Sequence, residues 1–136
     1  MKFLVLVFLI TFSAKAESRD YVCHFVKKSE VMKDFSAEEQ TPESNNSNKE
    51  LIEIIGAPVS VTVGMSELIY RVKVYNKENE LTFKIVEAND QSISGWNEEQ
   101  KFSTFFSLEK QTMVFTELLS GDHVAAYFYS CMEVSN

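Results

Sequence analysis

Only two cysteines occur in the 136 residues, and they stand near opposite ends of the chain. Cys23 lies in the run Tyr-Val-Cys-His-Phe-Val at 21–26. Cys131 lies in Asp-His-Val-Ala-Ala-Tyr-Phe-Tyr-Ser-Cys-Met-Glu-Val at 122–134. Both runs are rich in aromatic and β-branched residues and free of Gly and Pro. The second follows the turn signal Ser120-Gly121-Asp122. Such runs read as strands. A disulfide needs Cα atoms about 4.4–6.8 Å apart. A Cys23–Cys131 bond therefore requires the first and last strands to be neighbours, or to face one another across two sheets.

The bond itself is expected because the chain reads as exported. Lys2, an apolar run over 3–12 broken only by Thr11, and Ala14-Lys15-Ala16 form the pattern of a cleaved secretory signal. Two cysteines in an exported chain most often pair. Asp20-Tyr21-Val22 lacks the small residues that a lipid-modified cysteine needs before it, so a soluble secreted or periplasmic protein is expected. The remaining residues, 17–136, make one domain, with no later segment long and apolar enough for a helical membrane span. Closing a loop of this length contributes roughly 4–5 kcal/mol in the chain-entropy model.

Charge narrows the partners. The formal net charge is −7, and removing 1–16 with Lys2 and Lys15 takes it to −9. An acidic surface disfavours nucleic acid and anionic lipid, and steers toward cationic partners.

Between the terminal strands the chain alternates with period two. Val59, Val61 and Val63 alternate with Ser60 and Thr62. Leu68, Tyr70, Val72 and Val74 alternate with Ile69, Arg71, Lys73 and Tyr75. Leu81, Phe83 and Ile85 follow a polar turn placed at 76–79, so these two runs read as a hairpin. Phe102, Thr104, Phe106 and Leu108 form another strand, 112–119 another, and 51–55 a short apolar one ended by Gly56-Ala57-Pro58. Residues 92–96 read as a short strand or irregular crossing. The stretch 33–50 is acidic and Ser/Asn-rich. It reads as a long loop with one helical turn at 36–39, capped by Ser36, and a glycosylation sequon at Asn45. The expectation is an all-β domain, a small antiparallel barrel or sandwich of about eight strands. A barrel is favoured because pairing the terminal strands removes both open edges.

Chemistry is sparse. His24 and His123 are the only histidines, and a metal site from them would need ligands such as Asp122 or Glu133. Ser130 or Ser120 would have to be brought to a histidine by the fold for nucleophilic catalysis. The H-E-x-x-H, G-x-S-x-G, P-loop and G-x-G-x-x-G patterns are all missing. Glu38-Glu39 and Glu98-Glu99 read as solvated charge. No catalytic residue, metal or other cofactor is assigned.

The aromatics say more. Phe102, Phe105 and Phe106, and again Tyr127, Phe128 and Tyr129, put rings on both faces of a strand. One face fills an interior; the other is a candidate contact patch. Trp96 is either a binding anchor on a loop or a plug for one barrel end.

In general character the chain is similar to small acidic periplasmic inhibitors of lysozyme, in which a Ser-Gly loop is followed closely by Tyr. Here Ser94-Gly95 leads to Trp96, and Ser120-Gly121 has its next Tyr only at Tyr127, so membership is not assigned. The leading reading is a non-enzymatic binding or inhibitor-like module, a monomer or weak dimer. It would meet a protein partner, a basic one being the electrostatic complement, through Trp96, Glu38, Glu39, Phe105, Tyr127 and Tyr129. The alternative is a small apolar-ligand carrier with a lipocalin-like barrel, lined by alternate residues around 70–85 and 102–108.

Overall fold

A computed structural model describes residues 18–32, 34, 36–41, 57–119 and 123–135. The signal-like stretch 1–16, the apolar run 51–55 and the sequon at Asn45 lie outside them. The described chain is all β, with strands β1 (Arg19–Met32), β2 (Ala37–Gln40), β3 (Val59–Val63), β4 (Glu67–Val74), β5 (Lys77–Ala88), β6 (Ser92–Asn97), β7 (Phe102–Ser107), β8 (Thr112–Leu119) and β9 (His123–Glu133).

Every pairing is antiparallel, and β3 to β9 follow one another as a meander. β1 pairs with β3 on one side and with β9 on the other, from Tyr21 opposite Glu133 to Met32 opposite His123. The result is a closed eight-stranded barrel with β2 as an added ninth strand. Of the two architectures left open by the sequence, the barrel is the one formed. Cys23 and Cys131 are register partners on β1 and β9, and they are bonded and buried. The staple thus lies across the seam that closes the sheet.

Alternation decides what fills the barrel. At the end where β1 begins, Tyr21, Val61, Leu68, Phe83, Ile93, Phe106 and Met113 point inward and are buried around the disulfide. The rings of Tyr21 and Phe106 lie 4.8 Å apart, those of Tyr70 and Phe83 4.7 Å. Gly95 of β6 faces this packing. A Cβ there would come 3.0 Å from Phe83 Cβ and 3.2 Å from Thr104 Cγ2, so the missing side chain lets the two pack closely.

Three local expectations change. Ala37–Gln40 is not a helical turn but strand β2, held by β1 from Lys28 opposite Gln40 to Val31 opposite Ala37. An edge of paired backbone outcompetes one isolated turn, which fixes several dihedrals for a single hydrogen bond. Of the two readings of 92–96 the strand is the one formed, as Ser92–Asn97, and what changes is Trp96, which sits on its outer face opposite Lys84 and Ser103. It is neither on a loop nor a plug. The β4–β5 turn is Tyr75-Asn76, not 76–79: Val74 pairs with Lys77, and both turn residues have positive φ, 50° and 60°. That is the two-residue turn whose twist matches the flanking strands.

Candidate functional site

The inward-facing side chains of the described residues do not fill the whole lumen. Tyr70 reaches across from β4, and its hydroxyl meets Thr104 Oγ1 of β7, which in turn donates to the carbonyl of Val114 at 3.1 Å. This bar separates the packed half from a cavity of about 260 Å³ above it. The cavity wall is largely apolar: Val59, Tyr70, Val72, Val74, Leu81, Met113, Phe115 and Tyr129, with Asn79, Glu117 and Tyr127 as its polar members.

One reason for the opening lies in the strand order. β3 pairs with β4 only as far as Val59 opposite Val72, so Lys73 and Val74 gain no partner on that side among the described residues. Further along, the β1 edge that β3 occupied is taken by β2, which among the described residues pairs with β1 alone. Among the described residues, the wall beside Val72 and Val74 is therefore carried by fewer strands than the wall below.

A β-bulge adds charge to the same half. Phe25 pairs with Tyr129, but the next partners are Lys27 with Phe128, leaving Val26 extra. The inward set on β1 thereby changes from Tyr21, Cys23 and Phe25 to Lys28 and Glu30, since an inserted residue reverses the face of everything beyond it. Lys28 Nζ lies 2.9 Å from Glu30 Oε2, and both side chains are largely buried. The same ammonium sits 5.5 Å from the centre of the Tyr127 ring, within cation–π range. Across the β8–β9 ladder the Tyr127 hydroxyl donates to Glu117 Oε1 at 2.5 Å.

These surroundings keep the phenols neutral. Burial, and then the carboxylate of Glu117 as its hydrogen-bond partner, push Tyr127 well above the usual phenol range. Burial, with Glu117 nearby, pushes Tyr129 up to about 12. Tyr70 is raised too, chiefly by burial, with its Thr104 hydrogen bond acting the other way.

The six residues singled out for partner contact are split between two faces. Tyr127 and Tyr129 point into the lumen. Trp96 and Phe105 point outward, 36% and 48% exposed, on the paired strands β6 and β7. Glu38 and Glu39 are exposed on β2, with Glu39 2.7 Å from Lys27. Trp96 Nε1 donates to Glu98 Oε2 at 2.6 Å, and Glu98 also pairs with Lys101, which, followed by the Trp96 bond, holds that carboxyl below its ordinary range. His24 faces Ser130 across β1 and β9, but both are exposed on the outer surface. No group of three or more His, Cys, Asp or Glu suited to a metal occurs among the described residues.

Of the two runs expected to line the cavity, that around 70–85 supplies Tyr70, Val72, Val74 and Leu81, whereas none of 102–108 is in the lining. Glu117 in that lining was not expected, and neither were Lys28 and Glu30, buried in the same half but outside the lining, because each stands in a stretch that reads as solvent-facing until the bulge and the register are known.

Compared with known families, curated proteins and solved structures, the chain matches none.

Proposed function

We propose that the protein is an exported carrier of a small apolar ligand held inside the barrel. The observation that supports this most is the cavity of about 260 Å³, apolar in most of its wall, with Tyr70 as floor and the hydrogen-bonded Glu117 and Tyr127 side by side on β8 and β9. Small-molecule sites have this character, a mostly hydrophobic concavity with a few placed polar groups. Eight-stranded barrels leave room for one such ligand. At roughly 30 Å³ per water-sized group, the occupant has about nine non-hydrogen atoms. Export to a secreted or periplasmic setting rests on the N-terminal signal pattern and agrees with a buried disulfide, a bond that persists in oxidising compartments.

The test is native mass spectrometry of the protein isolated from its own compartment, beside a Leu81→Trp variant that fills the cavity. The expected result is an added mass of roughly a hundred daltons on the natural chain, consistent with an occupant of that size, and none on the variant. A bare natural chain that also takes up no apolar probe in titration overturns the reading.

A second reading has its own support. Trp96 and Phe105 are diagonal neighbours on the outer face, since Trp96 pairs with Ser103 and Phe105 with Ser94. Exposed aromatic pairs of this kind anchor protein partners. In this reading the protein is a non-enzymatic binding module whose acidic surface favours a basic partner. A Trp96→Ala, Phe105→Ala double variant that loses a co-purifying protein while keeping the lumen ligand assigns the outer face that role.

A further inference from the structure

Resting on the carrier reading, we infer that the lumen selects a ligand bearing a protonated amine, and that the Glu117 carboxylate is its anchor. The charged groups in the cavity half of the lumen differ in what already holds them. Lys28 is the one largely buried cation there among the described residues, and it is already engaged. Its ammonium is 2.9 Å from Glu30 and stands over the Tyr127 ring. Little of its charge is left for an anionic ligand.

Glu117 differs. It lines the cavity, and among the described residues its side chain accepts one hydrogen bond, from the uncharged hydroxyl of Tyr127. A carboxylate can accept several bonds through its two oxygens. The bond from Tyr127 occupies Oε1 and fixes the group's direction, leaving Oε2 for a donor on the ligand. A cation is the donor that also neutralises the charge, and a half-buried carboxylate without a cation gains most from one.

The rings point the same way. Phe115 and Tyr127 both line the cavity with centroids 5.6 Å apart, and Phe115 also packs on Phe102 at 4.9 Å. Aromatic faces beside a carboxylate attract an ammonium and repel a carboxylate head. The acidic surface adds a long-range pull of the same sign on an approaching cation.

The experiment uses three probes with one apolar body: octylamine, octanol and octanoate, titrated calorimetrically into the disulfide-bonded protein near pH 7.5. Octylamine is expected to bind about tenfold or more tighter than octanol, with octanoate weakest. In Glu117→Gln the amine-to-alcohol ratio is expected to fall to near one. Tyr127→Phe, which leaves the carboxylate in place, is expected to retain an amine preference, and its melting curve and that of Glu117→Gln check folding. Octanol binding as tightly as octylamine to the natural protein overturns the amine inference while leaving the carrier reading standing. A preference for octanoate overturns it too, and transfers the anchoring role to Lys28. If none of the three probes binds, the carrier reading falls, and this inference with it.

Discussion

The two halves of the barrel are built from the same strands, and they use their inward positions differently. Below Tyr70 the lumen holds Tyr21, Leu68, Phe83, Ile93 and Phe106 around a disulfide. Above it the same strands present Val72, Val74, Asn79, Glu117 and Tyr127, with Lys28 and Glu30 turned in by the bulge at Val26. The hydrogen-bonded ladder continues through both on most strands. What separates core from site is side-chain volume and polarity at alternate positions, and the point at which β3 gives way to β2 on the β1 edge. A barrel therefore needs no separate binding domain. One end can supply stability while the other holds a cavity, provided a bar such as Tyr70–Thr104 keeps the two apart.

The largest expected effect comes from pH, and it falls on the cavity half. Tyr70, Tyr127 and Tyr129 all line that half, and each is held protonated above the ordinary phenol range by burial. A folded pKa above the unfolded one means that the contribution is complete below about pH 10 and is lost as pH rises, through about 12 for Tyr129. Denaturant midpoints are expected to drop steeply above pH 10. Tyrosinate absorbance from these three should appear together with unfolding. Early, reversible ionisation of all three in a folded protein breaks the claim that the cavity half is dry enough to hold them neutral.

Next comes a pair of truncations. Phe83→Ala in the packed half is expected to cost about 3–5 kcal/mol, transfer loss plus residual cavity. Val72→Ala beside the opening is expected to cost about 1 kcal/mol or less, because the side chain already borders empty space. Denaturant unfolding of both variants checks the contrast, and equal costs erase it. Removing the staple with Cys23→Ala and Cys131→Ala together is expected to cost about 2–5 kcal/mol, the upper end being the loop-closure contribution of so long a loop. Melting in non-reducing buffer reads this directly.

Enlarging side chains reverses the sign between the halves. Leu68→Phe overpacks a fully buried position and is expected to cost about 1–3 kcal/mol. Val72→Phe fills space and is expected to be neutral or stabilising by up to about 1 kcal/mol, while reducing uptake of any lumen ligand. A loss in both would mean that the cavity walls are as tightly specified as the core.

The packed half was the legible one. Valines, Leu68, Phe83 and Phe106 alternate cleanly, turns punctuate them, and two cysteines in terminal strands call for closure. The site was legible only in its apolar part. Lys28 and Glu30 look like solvent-facing charge because the bulge that turns them inward sits at Val26, inside a run with no Gly, Pro or Asn to mark it. Tyr127 and Tyr129 flank Phe128, and sequence alone cannot say which face of that strand is inside. Trp96 reads as a loop residue for a related reason. The Gly before it resembles a loop signal, whereas Gly95 is there to let Phe83 and Thr104 approach.

The smallest expected effect concerns the hairpin at the cavity end, where sequence and geometry disagree. The Tyr75-Asn76 turn requires both residues at positive φ, and Tyr75 carries an exposed ring there at 50°. An L-residue with a bulky side chain costs roughly 1–2 kcal/mol in that region, and Asn or Gly less. Tyr75→Asn with Asn76→Gly is therefore expected to raise stability by about 0.5–1 kcal/mol, read as a higher denaturant midpoint at unchanged slope. The same variant asks whether the ring is retained for use. If stability rises and uptake of the lumen ligand is unchanged, Tyr75 is a tolerated misfit. If stability rises and uptake falls, the strained ring belongs to the mouth of the site, and the cavity half extends one turn further than its wall.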